Sequence, residues 1–273
     1  DYYFNERPNQ PALKESLIYN NSTAYLGEFS LYRQNFYKTR YIFGFGRTED
    51  VPYGFSMSAT GGYVREVEKA RLYTGFNVSY SFANKQGDFY TVNFQAGGYL
   101  YNNQIEDKVF DGGIKYNTRL LQFGKYKMRN SISTTYTHLA NRVVGDWLSL
   151  SSRDIPGFST DSLEANRRLT IHTEAVLFTP WTVFGFRFAP FTALDLATTR
   201  CATCEGRRNN FVGISAGLRT RNENLIFGTI ELKMTFIPND EYGSNQFVFG
   251  FKQNLRVKNT GSFVRAPTII VYN

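Results

Sequence analysis

The run Leu72-Tyr73-Thr74-Gly75-Phe76-Asn77-Val78-Ser79-Tyr80-Ser81-Phe82 decides the fold. Taken two at a time it separates into Leu72, Thr74, Phe76, Val78, Tyr80 and Phe82 against Tyr73, Gly75, Asn77, Ser79 and Ser81. Successive side chains of a strand point to opposite faces, so this is a strand with one greasy face and one small or polar face. The next stretch repeats the pattern. Tyr90, Val92, Phe94, Ala96, Gly98 and Leu100 alternate with Thr91, Asn93, Gln95, Gly97 and Tyr99. Further along, Val212, Ile214, Ala216 and Leu218 alternate with Gly213, Ser215, Gly217 and Arg219. Ile230, Leu232, Met234 and Phe236 do so with Thr229, Glu231, Lys233 and Thr235.

A soluble β-sandwich would also alternate. These segments run about ten to thirteen residues, however, longer than the five or six usual in soluble strands. They match the nine to eleven that cross a bilayer. Their polar faces carry Arg, Lys, Glu and Asn in mid-strand, as a wet lumen requires. The expected fold is therefore all-β, a transmembrane antiparallel β-barrel.

Composition agrees. Aromatic residues make up 17% of the 273, as 25 Phe and 19 Tyr but only 2 Trp, which suits a lipid-facing wall. No stretch approaches the roughly 18 apolar residues of a membrane helix. The net charge of +8 is scattered along the chain rather than striped, which argues against nucleic acid as a partner. It suits anionic head groups, so outer-membrane lipid and lipopolysaccharide are the expected surroundings.

About twelve strands are expected, near 23–33, 38–47, 54–65, 71–83, 88–101, 111–123, 126–140, 167–179, 185–198, 210–222, 225–237 and 246–258. Short turns at Gly46–Gly54, Ala83–Asp88, Phe123–Lys125 and Asn222–Asn224 alternate with longer loops at Asn102–Phe110, Asn141–Asn166, Thr199–Asn209 and Pro238–Asn245. Outer-membrane barrels have this asymmetry, with the short turns in the periplasm and the long loops outside. The chain divides into a lead-in (1–22), the barrel (23–258) and a C-terminal tail (259–273).

Several stretches carry a family resemblance. Arg153-Asp154-Ile155-Pro156-Gly157-Phe158 is followed by Leu163-Glu164-Ala165-Asn166-Arg167-Arg168-Leu169 and Glu174. Phe178-Thr179-Pro180-Trp181 leads to Gly185-Phe186-Arg187-Phe188-Ala189-Pro190-Phe191 and Asp195. Together with residues 46–54 and 217–225, these resemble the BamA/TamA superfamily of bacterial outer-membrane insertases and translocators, in its Bacteroidota-like form. The resemblance implies that loop 141–166 folds into the lumen and that a loop arginine meets acids on the next two strands, here Glu174 and Asp195. The family's arginine falls at Pro156, so Arg153 is expected to substitute for it. The family typically has sixteen strands, against about twelve here.

No catalytic residues are expected. Gly-x-Ser-x-Gly, phosphate-loop, His-Glu-x-x-His and dinucleotide patterns are all missing from the sequence. Glu174 and Asp195 could form an acid–base pair, but no substrate pocket is evident near them. Cys201 and Cys204 sit in an external loop, where a local disulfide is expected. A zinc site would need two more ligands, and the two histidines, His138 and His172, lie on other strands. No metal or cofactor is implied. Trp147 and Trp181 read as interfacial girdle residues.

In the last strand, Phe247, Phe249 and Phe251 point outward around Gly250, marking the strand that meets the first at the barrel seam. The resemblance implies a role in inserting or translocating client proteins at the outer membrane. The alternatives are a non-catalytic anchor or subunit of a larger outer-membrane complex, and a pore.

Overall fold

A computed structural model describes residues 22–42, 44–66, 69–144, 147–158, 160–202, 206–222, 227–238, 246–255 and 266–271. Within these lie fourteen strands and no helix. The long ones are β1 (Ser22–Arg40), β2 (Thr48–Glu66), β3 (Lys69–Ala83), β4 (Phe89–Tyr101), β5 (Gln104–Asn117), β7 (Tyr126–Ala140), β9 (Thr160–Phe178), β11 (Phe186–Cys201), β12 (Arg208–Asn222), β13 (Phe227–Phe236) and β14 (Phe247–Leu255). Three short ones, β6 (Leu121–Phe123), β8 (Leu148–Leu150) and β10 (Thr182–Val183), each flank a single long neighbour.

The long strands form one antiparallel meander in which each pairs with the next. The alternating faces expected from sequence are kept throughout β3, β4, β12 and β13. Along β11 the residues Ala189, Phe191, Ala193, Asp195, Ala197, Thr199 and Cys201 are all buried. Their neighbours Pro190, Leu194 and Leu196 stay partly exposed on the other side. The buried side is concave. Val51 of β2, Ser81 of β3, Arg129 of β7, Glu174 of β9, Glu231 of β13 and Lys252 of β14 all border one cavity of about 610 Å³.

The sheet thus curls until strands near its two edges face a common interior, but no ladder among the described residues joins β1 to β14. The ten successive antiparallel pairings leave β1 and β14 running in the same direction.

Several boundaries differ from expectation. The strands placed at 23–33 and 38–47 are one, β1, so eleven long strands stand where about twelve were expected. Residues 34–37, the expected gap between the two, pair in register with Gly54, Tyr53, Pro52 and Val51. The reversal comes later, at 41–47, where Tyr41 takes φ 63°. Gly54 is not a turn residue. It sits inside β2 at φ 135°, where a Cβ would strike the Arg33 carbonyl.

The loop expected at Asn102–Phe110 is a two-residue hairpin. Asn102 (φ 46°) and Asn103 (φ 61°) are both left-handed, as a primed turn requires, and close the Tyr101–Gln104 pair. Loop 141–166 is likewise shorter, because β9 already begins at Thr160 and pairs with β8 across Leu148–Ala165. β11 runs to Cys201 and β12 starts at Arg208, so the cysteine loop shrinks as well.

At the end that carries the short turns, Asp88 knits two reversals together. Its backbone N–H donates to Asn84 Oδ1, and its carboxylate accepts from Asn84 Nδ2 (2.8 Å), the Arg119 N–H (2.6 Å) and the Tyr116 hydroxyl (3.2 Å). Burial pushes this carboxyl up. The three donors outweigh that and hold it below the usual carboxylate value.

Candidate functional site: the filled interior and the two open edges

Three segments enter the concave side. The first is the β1–β2 turn. Tyr41 and Phe45 pack edge-on against Phe178, at 4.8 and 5.7 Å between ring centroids. The Phe45 carbonyl accepts from Arg187 (2.7 Å), and the Arg40 carbonyl accepts from Arg129 (3.0 Å). Residues of β1–β2 thereby meet β7, β9 and β11 across the interior.

The second segment is the loop between β7 and β9. Leu148, Leu150, Ile155 and Phe158 are fully buried. Ile155 and Phe158 join Leu163, Ala197, Phe211 and Ile237, with Val248 of β14 packed against them. The loop therefore reaches the inner face of β11–β14. The approach is close. A Cβ on Gly157, which is at φ 82°, would lie 2.5 Å from Val248, and one on Gly213 would lie 2.8 Å from Ile155. Pro156 is half-buried among these residues.

The electrostatic arrangement differs from the expected one. Arg153 does not meet Glu174 or Asp195. It is exposed, with its backbone N–H bonded to Ser151 Oγ. Instead, the sheet supplies the cation and the loop the acid. Arg168 of β9 reaches the Ser149 carbonyl (2.7 Å) and Asp154 (3.4 Å). The physical reason is local. Asp154 is folded back onto Ser151 by accepting hydrogen bonds from its N–H and hydroxyl, and Arg153 beside it in this tight turn is exposed.

The two expected acids do lie on the inner face, Glu174 against an arginine and Asp195 against a histidine. Arg219 of β12 grips Glu174 through both terminal nitrogens (2.8 and 2.6 Å) and Glu231 through Nε (2.7 Å). Its guanidinium crosses the Phe191 ring at 4.3 Å, so one side chain ties β9, β11, β12 and β13. Asp195, 2% exposed, bonds His172 through Oδ1. Its Oδ2 has no hydrogen-bond partner among the described residues.

A second network lies at the opposite end of the interior. Arg71 of β3 is fully buried and pairs with Glu66 of β2 and with Glu106 and Asp107 of β5. Asp107 in turn accepts the Val143 N–H (2.7 Å), tethering the start of the β7–β9 loop. Sequence gave no hint of this, because the bulge that turns Asp107 inward, at φ 46°, has no signature in residue type. The Arg219–Glu231 link was in reach, as a cross-strand pair of opposite charges on one polar face.

The third segment is residues 266–271, which lie against the inner face of β2–β5 and β7. Nothing in the sequence reading placed them there.

The edges are the counterpart of this filled interior. Phe247, Phe249 and Phe251 of β14 point outward and are exposed, and Gly250 pairs with Lys233. Cys201 ends β11 and is disulfide-bonded; Cys204 lies outside the described residues. The Arg142 guanidinium lies over the Trp147 ring at one end of the sheet, and Trp181 meets Tyr126 edge-on at the other. Among the described residues no cluster of three metal-ligating side chains occurs.

No protein-family model matches the chain, and no curated protein is similar to it.

Proposed function

We propose that this chain is the membrane-embedded β-barrel domain of an outer-membrane protein of BamA/TamA type, and that it engages strands of other polypeptides at its open edges. The observation that carries the reading is the pair of unpaired edges. Among the described residues every long strand between β1 and β14 has a neighbour on both sides, and those two have one each. Unpaired N–H and C=O groups are costly in lipid, so such an edge is a template for an incoming strand.

The membrane setting is supported by the outer face. Phe76, Val92 and Phe94 are 41%, 41% and 44% exposed, and Ile114, Ile214, Leu232 and Phe249 are exposed with them. Monomeric soluble proteins rarely expose a contiguous apolar patch above a few hundred Å². The pore reading has less support, because three chain segments occupy the interior.

A second reading, a subunit completed by another chain, draws on strand direction. β1 and β14 run the same way, so antiparallel seams on both sides need an odd number of added strands. That would bring eleven to the even count typical of single-chain bacterial barrels.

The test is client folding in proteoliposomes. Protein carrying a photo-crosslinker at Phe29 of β1 or Phe249 of β14 is expected to speed the folding of an added eight-stranded barrel and to trap it at those positions. No acceleration and no trapped client would reject the insertion role and leave the completed-subunit reading.

A further inference from the structure

We propose that the inner face of β3–β5 and β7 is a binding site for an extended apolar peptide, and that residues 266–271 occupy it in cis. β14 ends at Leu255, at the end of the sheet that carries the short turns. Residues 266–271 nevertheless lie on the concave side near the β2–β3 reversal, at the opposite end. These residues form no strand and join no ladder. Side chains and a hydrogen bond from Ile270 to Tyr73 hold them.

The site is shaped for its occupant. Ile269 packs against the cluster of Val64, Tyr73 and Tyr99. Ile270 packs against that of Val109, Leu139, Leu148 and Ala165. The Ile270 N–H donates to the Tyr73 hydroxyl at 3.0 Å. Gly97 opens the hollow for Ile270, since a Cβ there would sit 2.9 Å from Ile270 Cδ1 and 3.0 Å from the Tyr73 hydroxyl. Beside the tail a polar chamber of about 260 Å³, bordered by Glu28, Thr60, Asn77 and Gln95, leaves room along the groove.

Two adjacent β-branched side chains therefore enter neighbouring apolar pockets, with one backbone amide read between them. The ligand class is an extended segment carrying two consecutive aliphatic residues. The assignment stands on packing alone and is independent of whether the protein inserts clients.

The experiment uses the full chain in detergent, without lipid or client, so its outcome is separate from that of the insertion test. In Ile270→Asp the tail should leave its pockets. A fluorescent peptide of residues 266–271 is then expected to bind Ile270→Asp saturably, at least tenfold more tightly than the unaltered chain. The same peptide with serine at both isoleucines should not bind. A folded Ile270→Asp that ignores the peptide, or an unaltered chain that binds it equally well, would overturn the proposal. Should Ile270→Asp fail to fold, hydrogen exchange in the unaltered chain decides. The Ile270 amide is expected to exchange at least a hundredfold slower than in the free peptide; an equal rate would refute the site.

Discussion

The middle of the sheet and its two edges are built from the same alternating strands, yet they are held differently. In β11 every second residue is buried, both flanks are laddered, and the β7–β9 loop and the β1–β2 turn press on its inner face. In β14 all but one of the residues 247–253 are exposed, and in β1 both faces of residues 22–25 are exposed. Each edge has a single ladder. Alternation thus makes a strand, but burial on the concave side makes it permanent. The edges lack most of that burial.

The sharpest way to break this comparison is to unpair the middle. Arg71→Met leaves Glu66, Glu106 and Asp107 close together without their common buried cation. Removing one partner of a buried ion pair costs about 3–5 kcal/mol. The urea midpoint of folded protein in micelles should fall accordingly, and an unchanged midpoint would mean that the network does not hold β2, β3 and β5 together. Next comes Phe158→Ala, which empties a fully buried site between the loop and β12, where Phe158 meets Phe211 at 5.1 Å. A loss of about 3 kcal/mol is expected. Proteolysis of the loop should appear before global unfolding; a loop that stays protected would show it to be held by other contacts.

A smaller effect is expected from pH at Asp88. Its folded value lies below the unfolded one, so its contribution is complete above the unfolded value near 3.8. It is lost as pH falls through the lower folded value. Asp88→Asn should therefore remove part of the acid sensitivity below about pH 4 that the unaltered protein shows in thermal melts. Parallel pH profiles of the two proteins would deny Asp88 that role. The smallest effect belongs to the edge. Phe249→Leu, which keeps an apolar side chain at a position 78% exposed on the outer face of β14, should move the micelle midpoint by less than about 0.5 kcal/mol. A loss comparable to that of Phe158→Ala would erase the distinction between edge and middle.

The wall of the molecule was legible because period two survives in single residues. Phe76 and Asn77, or Ile230 and Glu231, declare their faces without any knowledge of neighbours. Ends and connections were less legible. Asn102-Asn103 reads as the start of a polar loop, although two adjacent asparagines at positive φ make the tightest of hairpins. Residues 34–37 look like a break because the polar pair Gln34-Asn35 interrupts the apolar alternation of Phe29 and Leu31. Within the interior, Ile155 and Phe158 were found through the resemblance. Arg71, Asp107 and the tail at Ile269–Ile270 were not, because each depends on contacts between residues far apart in sequence.

The central claim is that the convex face meets lipid while the concave face does not, and spin labels along β4 measure this most directly. Cysteine replaces residues 92–96 one at a time, in protein reconstituted into bilayers. The account predicts that labels at Val92, Phe94 and Ala96 collide with dissolved oxygen and not with a water-soluble nickel chelate, while labels at Asn93 and Gln95 show low oxygen access. Equal access of the nickel chelate to Val92, Phe94 and Ala96 would contradict it.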